Sequence, residues 1–171
     1  MMKIYVILAN FFFSIKLKEV LELFLAPLIL TILICFLCNT SIYDFSKFIS
    51  EFNSTVINIT AILGAFSLAS LSIIITSSNT NIDKAKEEYT NRFDRNRKFI
   101  TYYKLQILRN FFSLFLLFGL LIYAIIFIFL QNVLSNLCVL FYIEVYLLLV
   151  SLIAQIFVIQ SMYFLFVEPK K

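Results

Sequence analysis

The chain has 171 residues, of which 62% are hydrophobic and only 14% are charged, with a mean hydropathy of +0.97. This composition is far too apolar for an ordinary soluble domain and predicts an integral membrane protein. Residues 1–171 are expected to form a single transmembrane domain, with room for about four spans. The net charge of +4 does not indicate direct nucleic-acid binding, because an excess of Lys and Arg on the cytoplasmic side is usual in membrane proteins.

Long apolar runs predict four transmembrane helices, since they show none of the period-2 alternation of barrel strands. The predicted spans are residues 20–38, 55–77, 111–130 and 137–167. The predicted fold class is therefore all-α and polytopic. Pro27 in the first run predicts a kink or a displaced hydrogen bond. Residues 39–53 predict a connection that lies at the membrane interface.

A shorter apolar run precedes the first span. Residues 4–13, IYVILANFFF, are too few to cross a bilayer, which requires about 20 residues. Lys16 and Lys18 follow this run and no small-residue cleavage site is present, so it does not match a secretion signal. We expect a helix that lies on the inner surface or packs beneath the first span.

The basic residues predict the orientation of the chain in the membrane. Of 14 Lys and Arg residues, all except Lys47 lie in three segments that one side of the membrane would hold. These residues are Lys3, Lys16, Lys18, Lys84, Lys86, Arg92, Arg95, Arg97, Lys98, Lys104, Arg109, Lys170 and Lys171. Both termini and the loop of residues 78–110 are therefore predicted to lie in the cytoplasm.

The sequence of the loop, residues 78–110, predicts that it forms a charged helix. Thr80 with Asp83 matches a capping box, and apolar residues then recur at steps of three, four and seven. These apolar residues are Ile82, Ala85, Tyr89, Phe93, Ile100, Tyr103 and Ile107. One interpretation is a helix lying on anionic lipid headgroups, and the other is a docking face for a cytoplasmic partner or another subunit.

Both interpretations use the same side chains of the loop. The residues predicted to contact lipid or a partner are Tyr89, Arg92, Phe93, Arg95, Arg97 and Lys98. We expect the four basic residues to face lipid or an acidic partner and the two aromatic residues to face a protein surface. Glu87 and Glu88 would be repelled by an anionic membrane, which favours this mixed role.

The second span is rich in small residues. Ala61, Ala65 and Ala69 recur at every fourth position and form a ridge that lets another helix backbone approach closely. One interpretation is packing among the four spans of a single chain. The other is a contact between the subunits of a homo-oligomer.

The sequence offers little that could carry catalysis. There is no His, and no Asp, Lys or Arg lies within a predicted span. The carboxylate pairs, nucleophile–base arrangements and metal-ligand clusters that enzymes require are missing. Cys35 and Cys38 are spaced as C-x-x-C within an apolar helix, which favours small core residues over a metal or redox site. We therefore expect no enzymatic activity, no cofactor and no metal ion.

Glu144 is the candidate for an intramembrane function. With Ser151 and Gln155, at spacings of seven and four residues, it forms a polar stripe on one face of the fourth helix. A carboxylate within a membrane is a candidate functional group. The alternative is a position at the outer interface, where Tyr142 and Tyr146 would flank it as belt residues. If Glu144 lies inside, the stripe would face the bundle or an oligomer axis.

The second span, ILGAFSLASLSIIITSSN, is followed by the charged loop DKAKEEYTNRFDRNRK and then by a pair of Phe-, Leu- and Ile-rich helices. This layout resembles small four-helix inner-membrane proteins of bacterial phage-defence operons. Such proteins include the membrane subunit of the Kiwa system, accessory membrane proteins of CRISPR loci and membrane effectors of abortive infection. The resemblance covers most of the chain and is architectural.

The resemblance implies a non-enzymatic, oligomeric membrane protein that senses membrane disturbance or perturbs the membrane. Its cytoplasmic loop would couple it to a soluble protein encoded in the same operon. One alternative is a small transporter or ion-conducting channel built on the Glu144 stripe. Another is an immunity or assembly subunit. Toxicity with dye leakage would favour the effector, and ion-dependent flux without toxicity would favour the transporter.

Overall fold

The computed structural model describes residues 2–37, 45–131 and 137–166. It is 86% helical, which confirms the all-α class. The elements are α1 (Met2–Ser14), α2 (Leu17–Val20), a π-helical turn (Leu21–Leu25), α3 (Ala26–Leu37), α4 (Phe45–Thr76), α5 (Thr80–Glu87), β1 (Tyr89–Phe93), β2 (Phe99–Thr101), α6 (Tyr102–Leu130) and α7 (Leu137–Phe166). Four segments are long and apolar enough to cross a membrane: Leu17–Leu37, Lys47–Thr76, Tyr102–Leu130 and Leu137–Tyr163.

The first of these segments contains the displaced hydrogen bond that Pro27 predicts. The backbone N–H of Ala26 donates to the carbonyl of Leu21, five residues back, and this widens the turn that precedes the proline. A proline ring crowds the carbonyl four residues before it, so the wider turn relieves the clash with Leu23. Cys35 was predicted to be a core residue, but its thiol is free and exposed, and Cys38 lies outside the described residues.

The helix of the second span begins earlier than predicted. α4 starts at Phe45, so residues 45–53 form its first turns and are not a separate connection. Ile49 is fully buried there, and the ring of Phe52 lies 5.1 Å from the ring of Phe141 on α7. This packing stabilises a helix in a stretch whose charged residues suggested a loop.

The prediction of a charged helix over residues 78–110 is wrong for residues 88–101, which lie between α5 and α6. Asn79, not Thr80, caps α5, because its side chain accepts a hydrogen bond from the backbone N–H of Ile82 at 2.8 Å. β1 and β2 then form an antiparallel hairpin before α6 begins at Tyr102. The Tyr89-to-Phe93 spacing of four residues is a helical step, but it is also twice the period of a strand.

α1 packs against the bundle and does not cross it. The rings of Phe11 on α1 and Phe112 on α6 are stacked, with centroids 3.7 Å apart. Leu23 of the first span belongs to the same buried cluster, together with Val150 and Ala154 of α7. The N-terminal helix is therefore held by three of the long apolar segments.

The core lies between α4, α6 and α7. Its buried residues on α4 are Ile49, Asn53, Val56, Thr60, Ser67, Ser70, Leu71 and Ile74. Those on α6 include Gln106, Asn110, Ser113, Leu117, Leu120, Ala124 and Phe127. On α6 they recur at alternating steps of four and three, the spacing of a helix seam. α4 and α6 are antiparallel, since Asn53 contacts Ala124 and Ser70 contacts Asn110.

Candidate functional site at the hairpin and in the bundle interior

The hairpin of β1 and β2 has two faces of opposite character. Thr90 and Ile100 are buried, and the Thr90 hydroxyl donates to the carbonyl of Ile100 at 2.7 Å. Tyr89, Phe93 and Phe99 lie on the opposite face and are 68%, 45% and 54% exposed. The alternation of side chains along a strand produces this separation. These three exposed residues are called the aromatic face.

Asp94 organises the turn between the two strands. Its Oδ1 accepts hydrogen bonds from the backbone N–H groups of Asn96 at 2.9 Å and Lys98 at 3.0 Å. The backbone N–H of Lys98, together with the ammonium group of Lys104, holds the pKa of the Asp94 carboxyl below its usual value. Arg97 adopts a positive φ of 56° to close the turn. The resulting basic turn exposes Arg95, Arg97 and Lys98 to the surroundings.

Arg92 differs from the other three basic residues that were predicted to contact lipid or a partner. Its guanidinium group donates to both carboxylate oxygens of Glu19, at 2.6 and 2.7 Å, and to the carbonyl of Ser14 at 3.0 Å. Arg109 of α6 donates to the same carboxylate at 2.6 Å. Glu19, Arg92 and Arg109, called the arginine clasp, tie the hairpin to the start of the first span and to α6. Arg92 therefore makes an internal ion pair.

The alanine ridge lies on the outer surface of α4. Ala61, Ala65 and Ala69 are exposed, whereas Ser67 and Ser70 on the opposite side of the helix are buried. The interpretation of the ridge as packing within one chain is therefore wrong. The interpretation as a subunit contact stays a prediction.

The polar stripe of α7 faces the bundle interior. Glu144, Ser151 and Gln155 are almost completely buried. The amide nitrogen of Gln155 donates to the hydroxyl of Ser67 on α4 and to the carbonyl of Leu63 at 3.4 Å. Protein therefore encloses the Glu144 side chain on all sides.

Sequence reasoning missed most of the polar residues on the other two helices of the core. Asn53 and Thr60 on α4 and Gln106 and Asn110 on α6 are also buried. The seven-residue step from Asn53 to Thr60 and on to Ser67 is visible in the sequence and would have placed these residues on one face. The buried polar side chains of α4, α6 and α7 together are called the polar seam.

Comparisons of the chain with protein-family models, curated proteins and solved structures give no match. Four features of the structure bear on function: the aromatic face, the basic turn, the arginine clasp and the polar seam.

Proposed function

We propose that the protein is a non-enzymatic protein of the bacterial inner membrane that acts in phage defence as a membrane sensor or membrane-perturbing effector. It acts as a homo-oligomer and couples to a soluble, operon-encoded cytoplasmic protein through its hairpin. The single observation that carries the coupling is the aromatic face, whose three large side chains are 45–68% exposed on a fixed strand pair.

The aromatic face and the basic turn have the chemistry of a protein-binding surface. Aromatic and Arg side chains are enriched at protein interfaces, where they supply large contact area at low entropic cost. The Phe93 and Phe99 ring centroids lie 4.6 Å apart, so these rings support each other before a partner arrives. Arg95, Arg97 and Lys98 would attract an acidic partner and set its orientation.

The arginine clasp supports the same proposal. It fixes the buried side of β1 to the start of the first span through two hydrogen bonds between Arg92 and Glu19. A binding surface that is ordered before contact loses less entropy on binding than a free loop. Binding at the hairpin would also be transmitted directly to a membrane span.

Changing Tyr89 and Phe93 together to Ser will abolish binding of the operon-encoded soluble protein. Both side chains point away from the buried face of the hairpin, so membrane insertion should be unchanged and the thermal unfolding midpoint should stay close to the wild-type value. Binding is measured by co-purification and by titration of the partner onto the protein in nanodiscs. The matched control is Asn91→Ser, which changes an exposed, non-aromatic residue of the same strand.

The lipid interpretation of the hairpin gives a different result. Changing Arg95, Arg97 and Lys98 to Gln would then weaken attachment of the hairpin in anionic nanodiscs and leave it unchanged in zwitterionic ones. If the Tyr89 and Phe93 double variant keeps every partner and activity of the wild type, the hairpin is only a surface anchor and the coupling proposal fails.

The proposed orientation places both termini and the hairpin in the cytoplasm. We expect a reporter active only in the periplasm to give no signal when fused after Lys171 and a strong signal when inserted at Asp44. The reason is the confinement of nearly all Lys and Arg residues to the segments assigned to the cytoplasm. Signals in the reverse pattern would refute this topology.

Ion conduction is a second candidate function, and the polar side chains of Glu144, Ser151 and Gln155 inside an apolar helix bundle favour it. Reconstituted protein would then show ion-dependent flux without toxicity in cells. Toxicity with dye leakage would support the effector instead.

A further inference from the structure

α4 and α7 run in the same direction, and two contacts fix their register. Near the beginning of both helices, the rings of Phe52 and Phe141 lie 5.1 Å apart. Further along, Gln155 of α7 contacts Ser67 of α4. The two helices therefore stay in nearly the same register between the first contact and the second. Any residue soon after Phe141 lies at the level of a residue soon after Phe52.

Glu144 and Asn53 occupy that level, and α6 reaches it too. Asn53 follows Phe52 directly, and its amide nitrogen donates to the carbonyl of Ala124 on α6 at 3.1 Å. The hydroxyl of Tyr123, also on α6, donates to the carbonyl of Leu140 at 2.9 Å, one helical turn before Glu144. Three spans thus bring Asn53, Tyr123 and Glu144 to one level of the bundle.

Acceptor oxygens lack donors at this level. Glu144 is 0% exposed and Asn53 is 1% exposed. Both carboxylate oxygens of Glu144 and the Oδ1 atom of Asn53 have no hydrogen-bond partner among the described residues. The donors of Asn53 and Tyr123 are directed to backbone carbonyls. A single additional proton on Glu144 would turn one of these acceptors into a donor.

The surroundings of Glu144 disfavour its ionised form. Two buried apolar clusters lie at this level of the bundle: one contains Ile49, Phe127, Phe141 and Val145, and the other contains Val56, Leu120 and Ala124. Tyr123 of α6 is a titratable group that interacts electrostatically with Glu144, and Tyr142 lies two residues before Glu144 on α7. None of the ion pairs among the described residues includes Glu144. An unpaired carboxylate in such a site takes up a proton rather than remain charged.

We propose that Glu144 is a proton-binding site within the bundle, with Asn53 as its hydrogen-bond acceptor. In the occupied state Glu144 is a neutral carboxylic acid that donates to Oδ1 of Asn53. Release breaks the O–H bond, leaves the electron pair on the carboxylate and delivers the proton to water. The resulting unpaired charge weakens the packing of α7 against α4 and α6. Protonation of Glu144 thereby controls how closely α7 packs against α4 and α6.

Difference infrared spectroscopy of the protein in nanodiscs tests this site directly. At neutral pH the wild type should show the carbonyl stretch of a protonated carboxylic acid, and Glu144→Gln should lack it. Glutamine has the shape of the protonated acid and both a donor and an acceptor, so this variant is expected to fold. The matched control is Glu51→Gln, which removes an exposed carboxylate on the neighbouring part of α4 and should leave the band unchanged.

A second variant tests the hydrogen bond between Glu144 and Asn53. It also tests the proposal if Glu144→Gln does not fold. Asn53→Leu should retain the band and move it to higher frequency, because the acid loses its acceptor. An unmoved band would overturn the pairing with Asn53. Absence of the band from the wild type at neutral pH would overturn the proton site. Loss of the band on adding sodium at constant pH would assign the site to an alkali-metal ion and also overturn it.

The consequence for packing is measured with an introduced reporter, since the chain contains no Trp. Phe52→Trp places an indole next to Asn53 at a partly exposed position. Its emission should shift to longer wavelength as rising pH removes the infrared band, and the shift should be absent when Glu144→Gln is also present. These readouts do not depend on partner binding or ion flux, so the site can fail while the proposed function stands, and the reverse.

Discussion

Replacing Glu19 with Ala will lower the free energy of unfolding by about 3 kcal/mol, because it leaves two largely buried guanidinium groups without a counter-charge. The side chains of Arg92, Glu19 and Arg109 are only 13%, 19% and 16% exposed. One carboxylate serves both arginines, so its removal breaks both ion pairs at once. The measurement is a denaturant titration of the purified protein in micelles, followed by circular dichroism.

Two further variants separate the clasp from surface charge. Arg92→Ala should cost less than Glu19→Ala, since Glu19 keeps its bond to Arg109. Glu22→Ala should change stability by less than about 0.5 kcal/mol, as expected for an exposed pair. Its partner Lys18 lies 3.8 Å away, and the two side chains are 87% and 48% exposed. Equal losses for Glu19→Ala and Glu22→Ala would show that the clasp does not hold the fold.

Leucine substitutions at Ala65 and Ser67 will have opposite consequences because the two residues lie on opposite sides of α4. Ser67→Leu forces a larger side chain into the core and removes the hydroxyl that accepts a hydrogen bond from the Gln155 amide, so we expect a loss of about 3 kcal/mol in folding stability. Ala65→Leu should leave the single chain folded and dissociate the proposed oligomer, since the ridge requires close approach of helix backbones.

Light scattering and mild crosslinking of the detergent-solubilised protein measure the second effect. Ile62→Leu is the matched control, because Ile62 is exposed on the same helix but lies outside the ridge. A wild-type protein that is monomeric under these conditions would contradict the oligomer. An Ala65→Leu variant that unfolds would contradict the exposed position of the ridge.

The spans could be predicted from the sequence because hydrophobicity is a local property of each run. The start of α4 could not, since the helix between residues 45 and 53 depends on contacts such as that of Phe52 with Phe141. The hairpin was predicted as a helix because its apolar spacing fits both structures. Its strands are selected by burial of Thr90 and Ile100 against the bundle.

The candidate sites likewise contain some features that the sequence predicts and others that depend on contacts between distant segments. The spacing of Glu144, Ser151 and Gln155 placed them on one face of one helix, and that face is buried. The proximity of Glu144 on α7 to Asn53 on α4 depends on how the two helices are aligned along their axes. That alignment cannot be read from either helical segment alone. The clasp was missed because Glu19 and Arg92 are 73 residues apart and neither lies in a recognisable motif.

The 73-residue separation within the clasp also sets an order of events during synthesis. At about 5–20 residues per second, Arg92 leaves the ribosome roughly 4–15 s after Glu19. During that interval the Glu19 carboxylate has neither of its arginine partners. Arg109, which follows Arg92, completes the clasp when α6 emerges. The clasp therefore cannot fix the position of the first apolar segment relative to the rest of the chain until the hairpin and α6 have been made.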